Sequence, residues 1–310
     1  MNAQTKELRF EQSEPERLDK FLAEVLPEHS RSQFQELIAS GKVWVDGQVC
    51  LKPALKLSAG QMVSVELLVP QAQGIPAENL PLDVIYIDEN TIVINKPAGL
   101  IVHPGAGHST GTVVNAALYR WPEIRQVGEP ERPGVVHRLD KETSGVLVLA
   151  RTQSAYAWLV RQFKSRKTEK YYLALVDGHP PTPNGRIEAA VGRDAKFRQK
   201  MAVVYEGKGR KAVSEYFTKQ SFRDHTLLEV RPFTGRTHQI RVHLAYLGCP
   251  VVGDRVYGRR KASFPLERFF LHAAKLRIIL PGEKDLTEFQ AALPDDLKEV
   301  LNTLSAMEDV

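Results

Sequence analysis

Three short segments carry side chains whose types and spacing could do chemistry. The first is Pro133-Gly-Val-Val-His-Arg-Leu-Asp-Lys-Glu-Thr-Ser-Gly-Val-Leu-Val-Leu-Ala150, where a His-Arg-Leu-Asp turn runs through Thr-Ser-Gly into an apolar stretch. Loops held by rigid strands are where catalytic groups sit. Asp140, between Arg138 and Lys141, is therefore a candidate catalytic carboxylate, although most Asp residues in such turns only close an Asx turn. The second is Phe233-Thr-Gly-Arg-Thr-His-Gln-Ile-Arg-Val-His-Leu244. It puts Arg236 just ahead of a helix start and Arg241 inside the helix. A guanidinium beside unpaired backbone N–H groups suits a carboxylate or a phosphate. The third is Glu169-Lys-Tyr-Tyr-Leu-Ala-Leu-Val176. Strand alternation puts Tyr172, Ala174 and Val176 on one face. A tyrosine there is either core or a π-face for a nucleobase.

Other patterns carry no chemistry. The His137-Arg-Leu-Asp140 run lacks the His-Arg-Asp order of a kinase loop, and no Asp-Phe-Gly accompanies it. Gly105-Ala-Gly-His-Ser-Thr-Gly111 has no following Gly-Lys-Ser/Thr and is not a phosphate loop. His238 and His243 are five apart, on different helix faces, and no His-Glu-x-x-His occurs, so no metal is expected.

The elements that position these segments are readable. Leu82–Tyr86 and Ile92–Asn95 read as paired strands around Asp88-Glu-Asn90. Val146–Ala150 is a buried strand, and Tyr156, Leu159, Val160 and Phe163 recur as one helix face. Tyr171–Val176 is a strand, and Ala212–Lys219 with Thr226–Arg231 form a hairpin. A short helix follows over His238–Leu247, with Thr237 as its N-cap. Strands joined by short turns imply a mostly antiparallel sheet and an α+β fold rather than a doubly wound one.

Ahead of this lies a small α/β module. Leu18, Phe21, Leu22, Val25 and Leu26 share a helix face. Ser30 caps a second helix that ends at Gly41, and Val43–Val49 is a hairpin turning at Asp46-Gly47. Met62–Leu68 is the last strand. The expected division is residues 1–70, a Pro/Gly-containing linker over 71–81, and 82–310.

At 310 residues, 43% hydrophobic and 25% charged, the chain suits two globular domains. No apolar run approaches the ~18 residues of a membrane span. The first residues show no secretory or transit signal, and Cys50 and Cys249 form no pattern, so a cytoplasmic protein is expected. The net charge of +5 is unevenly spread: residues 1–70 carry −2. Seven Lys or Arg crowd Arg193–Lys211, including Arg193, Arg198 and Lys200. Runs of this density can neutralise a phosphate backbone.

Taken together, the motifs resemble the RluA-type pseudouridine synthases. Gly134–Gly145, Lys170–Val176, Thr234–His243, Gly253-Asp-Arg-Val-Tyr-Gly258 and Leu271-His-Ala-Ala-Lys-Leu276 match in the family's order, as do Asn95-Lys-Pro-Ala-Gly and Val102-His-Pro-Gly-Ala-Gly107. The leading module is similar to the S4 RNA-binding domain, through Arg17-Leu-Asp-Lys-Phe-Leu, Ser30-Arg-Ser and Gly41-Lys-Val-Trp-Val-Asp-Gly. The resemblance implies the pseudouridine synthase fold, no cofactor, and a substrate in large-subunit ribosomal RNA or the assembling subunit; a monomer is expected because no long heptad or exposed apolar helix appears. It implies that uridine's N1–C1′ bond breaks and that C5 then bonds to C1′. Asp140 takes the place of the family's essential aspartate. Tyr172 takes that of the tyrosine that stacks on the uracil or acts as a base, and Arg236 that of the arginine pairing with the aspartate. Arg138 would fill the space left by the flipped base. Arg17, Arg31, Lys42, Arg193, Arg198 and Lys200 would hold RNA. Two other readings compete: an RNA-binding factor that has lost the chemistry, and a glycoside hydrolase. The first would have no reason to keep Asp140, Tyr172 and Arg236 together. The second needs two carboxyl groups at the bond, and only Glu142 is close in sequence.

Overall fold

A computed structural model describes residues 2–27, 29–69, 74–105, 107–197, 200–205 and 207–308, with only the backbone given for 2–4, 68 and 69. Arg198 and residues 71–73 of the expected linker lie outside the described residues. The chain divides into two compact units, Met1–Gly74 and Ile75–Val310.

The first unit runs β1 (Asn2–Arg9), β2 (Glu16–Arg17), α1 (Leu18–Val25), α2 (Arg31–Ala39), β3 (Val43–Val45), β4 (Gln48–Val49), β5 (Lys56–Leu57) and β6 (Met62–Val69). Its main sheet has the order β1-β6-β3-β4. Ser30 starts α2 by a reciprocal cap: its Oγ accepts from Gln33 N at 3.3 Å, and Gln33 Oε1 accepts from Ser30 N at 2.7 Å. Asp46 and Gly47 both adopt positive φ, 49° and 78°, as a two-residue hairpin turn requires. Leu18, Phe21, Phe34 and Ile38 pack on Val43, Val63 and Val65. The strand over Asn2–Arg9 has no counterpart in the sequence reading. Its polar residues carry little strand signal, and pairing with β6 makes the strand.

The second unit is α+β, as expected. Its elements are β7 (Asp83–Ile87), β8 (Thr91–Lys96), α3 (Val113–Arg120), β9 (Ser144–Ala150), α4 (Gln153–Lys164), β10 (Glu169–Asp177), β11 (Asn184–Glu188), β12 (Val191–Arg193), β13 (Met201–Val203), β14 (Val213–Ser221), β15 (His225–Pro232), α5 (Gln239–Tyr246), β16 (Leu271–Ile278), β17 (Thr287–Gln290) and α6 (Asp295–Ala306). One sheet follows the order β11-β14-β15-β10-β16-β9-β8-β7, with β17 also on β16. Among the described strands every pair in it is antiparallel except β9 with β16.

Period-two burial separates the two faces. Ile92, Ile94, Leu147 and Leu149 pack under α3, whereas Val93, Val146, Val148 and Ala150 pack with Ala155 and Leu159 of α4. A third core joins Ala174, Leu228 and Val230 to Ile240 and Leu244 of α5 and to Leu297, Val300 and Leu304 of α6.

The parallel pairing is short, His272 opposite Ser144 and Ala273 opposite Gly145. Gly145 has φ 115°, and a Cβ there would lie 2.2 Å from the Ala273 carbonyl oxygen, so only glycine fits. Tyr172 is also opposite Ala273, at a register shift. Tyr172, Ala273 and Gly145 therefore form one row across the sheet, and the Asp140 loop enters at its end.

Candidate active site

The loop before β9 is pinned residue by residue. His137 stacks on Phe163, with ring centroids 4.4 Å apart, and its Nε2 accepts from Val148 N at 3.0 Å. Burial pushes its pKa down to about 3, which keeps Nε2 an acceptor. Leu139 is buried in the core beneath α3. The Lys141 carbonyl accepts from Gly99 N at 2.9 Å and from Lys96 Nζ at 3.0 Å. Lys96 is fully buried and also donates to the carbonyls of Pro97 (2.7 Å) and Leu100 (2.9 Å). Burial pushes its pKa down to about 7, yet three carbonyls occupy all three N–H groups of the ammonium and so hold the proton on.

His137 makes the first prediction. Its native pKa of about 3 lies below the ordinary 6.5 of the unfolded chain. Between those values the unfolded state binds a proton that the native state does not, so stability falls as pH falls. His137→Gln keeps an acceptor for Val148 N but does not titrate. Urea unfolding from pH 6.5 to 3.5 should show the variant losing less stability than wild type, by at most ~1.4 kcal/mol per pH unit. Parallel curves would contradict this.

The Asp140 side chain faces Arg241. Nη1 of Arg241 donates to Asp140 Oδ2 at 3.3 Å. The remainder of the guanidinium grips Asp254, Nε to Oδ2 at 2.7 Å and Nη2 to Oδ1 at 2.9 Å. Asp254 Oδ1 also accepts from Val256 N and Tyr257 N. The guanidinium lies 4.2 Å from the Phe269 ring centroid and 5.0 Å from that of Tyr257. Burial opposes the Asp254 charge, but Arg241 and the two N–H groups outweigh it and hold its pKa below the ordinary value. The same carboxylates hold the Arg241 proton on, against its burial.

Arg236 does not pair with Asp140, which corrects the sequence expectation. Its Nε donates to the Lys211 carbonyl at 3.3 Å. Burial, with Arg210 and Arg166 nearby, lowers its pKa. The physical reason lies in where the helix begins. Arg241 projects from the body of α5 toward the Asp140 loop, whereas Arg236 precedes the helix and stays at the rim.

The helix start differs too. Thr237 is not the N-cap: α5 begins at Gln239, with His238 before it at φ 56°. The Gln239 amide organises the turn. Its Oε1 accepts from Thr234 Oγ1 (2.6 Å) and Arg236 N (3.1 Å), and its Nε2 donates to the Val213 carbonyl (3.0 Å). The left-handed residue brings His238 Nδ1 to 2.8 Å from the Tyr257 hydroxyl. That hydroxyl accepts from Met201 N at 2.9 Å.

Asp140, Arg138, Tyr172, Arg236, His238 and Arg241 line one cavity of about 580 Å³, with Phe163, Phe233, Ile240 and Leu271 among its walls. Tyr172 packs against two of the cores. Burial, then the nearby Asp140 charge, pushes its phenol pKa above the ordinary value. The hydroxyl is therefore held neutral. Arg138 is exposed, with Nη1 3.3 Å from His103 Nε2. Lys170 donates to the Thr234 carbonyl at 3.5 Å, and burial pushes its pKa down to about 8. Among the described residues no three of His, Cys, Asp or Glu converge as a metal ion requires.

The wall of this cavity includes neither Arg193 nor Lys200. Arg193 ends β12. Lys200 donates to the Val256 carbonyl at 3.3 Å and stands 5.4 Å from the Phe197 ring centroid. In the first unit the buried carboxylate of Asp19 gathers Arg17 and Arg31, each at 3.0 Å, and the Arg17 contact leads in holding its pKa far below the ordinary value. Lys42 pairs with Glu66 at 3.6 Å.

Sequence reasoning left Asp254, Tyr257 and Lys96 without roles, although the Gly-Asp-Arg-Val-Tyr-Gly and Asn-Lys-Pro-Ala-Gly motifs contain them. It named Arg241 as a cation without giving it the aspartate.

Residues 90–246 match the family model described as RNA pseudouridylate synthase, and residues 16–63 match the S4 domain. An RNA pseudouridine synthase of Aquifex aeolicus (strain VF5), described as uncharacterized, is 42% identical over 302 residues, covering 94% of this chain and 95% of that protein. Ribosomal large subunit pseudouridine synthase D of Yersinia pestis is 40% identical, covering 94% of this chain and 91% of that protein. The solved structure of human RNA pseudouridylate synthase domain containing 4 superposes with a TM-score of 0.58 at 27% identity, over 72% of this chain and 93% of that one. The chain thus belongs to the RNA pseudouridylate synthase family, isomerases that convert uridine to pseudouridine in RNA.

Proposed function

We propose that the protein isomerises uridines of large-subunit ribosomal RNA, with Asp140 as the carboxylate that acts on the ribose. One observation carries this reading: an Asp140–Arg241 pair opens into a cavity of one-nucleotide scale beside a tyrosine ring. Relatives named ribosomal large subunit pseudouridine synthase D support the choice of RNA.

The target uracil leaves its stack, at a cost of a few kcal/mol. Arg138 takes the vacated space, its planar guanidinium stacking while it reaches phosphate. Tyr172 stacks on the uracil. Ionised Asp140 then attacks C1′ or removes a sugar proton to give a glycal. Either route breaks N1–C1′ and turns the uracil over; C5 then bonds to C1′, displacing the Asp140 oxygen in the first route or with the sugar proton returned from Asp140 in the second, and the C5 proton is lost as N1 gains one. Arg241 orients the carboxylate. Arg236, free of that duty and set among cations, receives a phosphate of the same strand. Asp254 is no second acid, because its lone pairs are spent on Arg241 and two backbone N–H groups.

Incubation with unmodified large-subunit rRNA and with tRNA, followed by carbodiimide labelling and primer extension, tests the substrate. New stops in the large-subunit RNA are expected, and stops confined to tRNA would move the substrate elsewhere. RNA affinity should fall steeply and linearly in log–log with salt, and a flat response would contradict phosphate-driven binding.

A further inference from the structure

Three consecutive carbonyls leave the loop that carries the Asp140 side chain, and each is caught. The Asp140 carbonyl accepts from Thr143 N at 3.1 Å, and the Lys141 carbonyl from Gly99 N and Lys96 Nζ. The Glu142 carbonyl accepts from Arg268 Nη1 at 3.2 Å. Arg268 is absent from the wall of the Asp140 cavity. It lines a separate one of about 440 Å³, with Asp83, Asn95, Pro97 and Asp296.

Arg268 is itself immobilised. It is 8% exposed. Asp296, in the first turn of α6, holds it at two points, Nε to Oδ2 at 2.6 Å and Nη2 to Oδ1 at 3.0 Å. An acid in the first turn of a helix is favourably placed for the dipole. Nη1 reaches Ser144 Oγ as well, at 3.2 Å. Ser144 Oγ lies 2.9 Å from His272 Nδ1, and His272 Nε2 lies 3.0 Å from the Ala291 carbonyl. A carbonyl only accepts, so Nε2 carries the hydrogen and Nδ1 accepts from Ser144. Every donor in the chain Arg268, Ser144, His272, Ala291 thus points one way, and the guanidinium has no second arrangement.

The Asp140 carboxylate needs such a backbone. Its ion pair with Arg241 is a single contact at 3.3 Å, not a two-point fork. One contact lets a carboxylate pivot, so its aim is set by the main chain beneath it.

We propose that Arg268, held by Asp296, is a positioning residue for Asp140: by fixing the Glu142 carbonyl it sets the carboxylate's height and angle in the cavity without touching RNA. The proposal rests on the reading that Asp140 does the chemistry. It ties α6, at the end of the described chain, to the reacting group.

The test measures single-turnover isomerisation, RNA affinity and urea unfolding for wild type, Arg268→Met, Arg268→Lys, Asp296→Asn and Asp140→Asn. A misplacement of about 1 Å costs on the order of 10²-fold in rate, and that is the loss expected for Arg268→Met at saturating RNA, with affinity unchanged. Arg268→Lys should recover part of the rate. Millimolar guanidinium, against matched sodium chloride, should restore part of the rate of Arg268→Met by entering the vacated space. It should not help wild type or Asp140→Asn. A purely structural role would lower stability without such rescue.

An unchanged maximal rate in Arg268→Met overturns the proposal, as does a loss that follows the unfolded fraction and resists guanidinium. If Arg268→Met does not fold, Asp296→Asn carries the test, and a wild-type rate there overturns it. Inactive wild type, or active Asp140→Asn, would instead sink the functional reading itself.

Discussion

Replacing Asp140 with Asn lowers turnover by on the order of 10⁴-fold or more while RNA affinity stays nearly unchanged. The amide is the same size, and its oxygen still accepts from Arg241 Nη1. The loop carbonyls and Leu139 keep their contacts, because none involves the side chain. What disappears is the negative charge that attack on C1′ or removal of a sugar proton requires. On the proposed reading, affinity comes from cations such as Arg138 and Arg236 acting on phosphates. Single-turnover kinetics beside filter binding separates the two quantities. A variant that binds ten times more weakly, or turns over at a tenth of the normal rate, would contradict the division of labour.

Arg241→Met has the second large effect, and it falls on both stability and rate. Breaking a buried ion pair by removing one partner typically costs about 3–5 kcal/mol, because the other charge stays buried. Here the stranded charge is Asp254, whose side chain has no solvent exposure. The Val256 and Tyr257 N–H groups soften the loss, which puts it near the lower end of that range. The double variant Arg241→Met/Asp254→Leu removes both charges and should regain most of the stability. It should regain none of the activity, because Asp140 still lacks its cation. Denaturant unfolding of the two single variants and the double variant, with rates on the folded protein, completes the cycle. Recovery of activity in the double variant would show that Arg241 acts only through stability.

Much of this site was legible in the chain because its signals are local. The Asp140 loop announces itself by a polar turn feeding an apolar strand. The Asp46-Gly47 turn and the Ser30 cap each rest on a few neighbouring residues. What escaped depends on where distant elements meet. Arg236 and Arg241 are both arginines near one helix start, and where the helix begins decides which reaches Asp140. Gln239 Oε1, accepting from Thr234 Oγ1 and Arg236 N, holds the turn that leaves Arg236 ahead of the helix and Arg241 within it. Lys96 reads as an ordinary strand-end lysine until the fold places three carbonyls around it. Asp254 follows Arg241 by thirteen residues, with no periodic pattern to join them. The strand over Asn2–Arg9 exists through its partner rather than its own composition.

The most direct test of the account is release of tritium from large-subunit rRNA labelled at uridine C5, comparing wild type with Asp140→Asn. Joining C5 to C1′ expels the C5 hydrogen, so each completed isomerisation frees one label. Release by wild type and none by Asp140→Asn, with both proteins folded and binding the RNA, is the predicted result. Equal release by the two would remove Asp140 from the chemistry, and no release by either from bound RNA would contradict this RNA as the substrate.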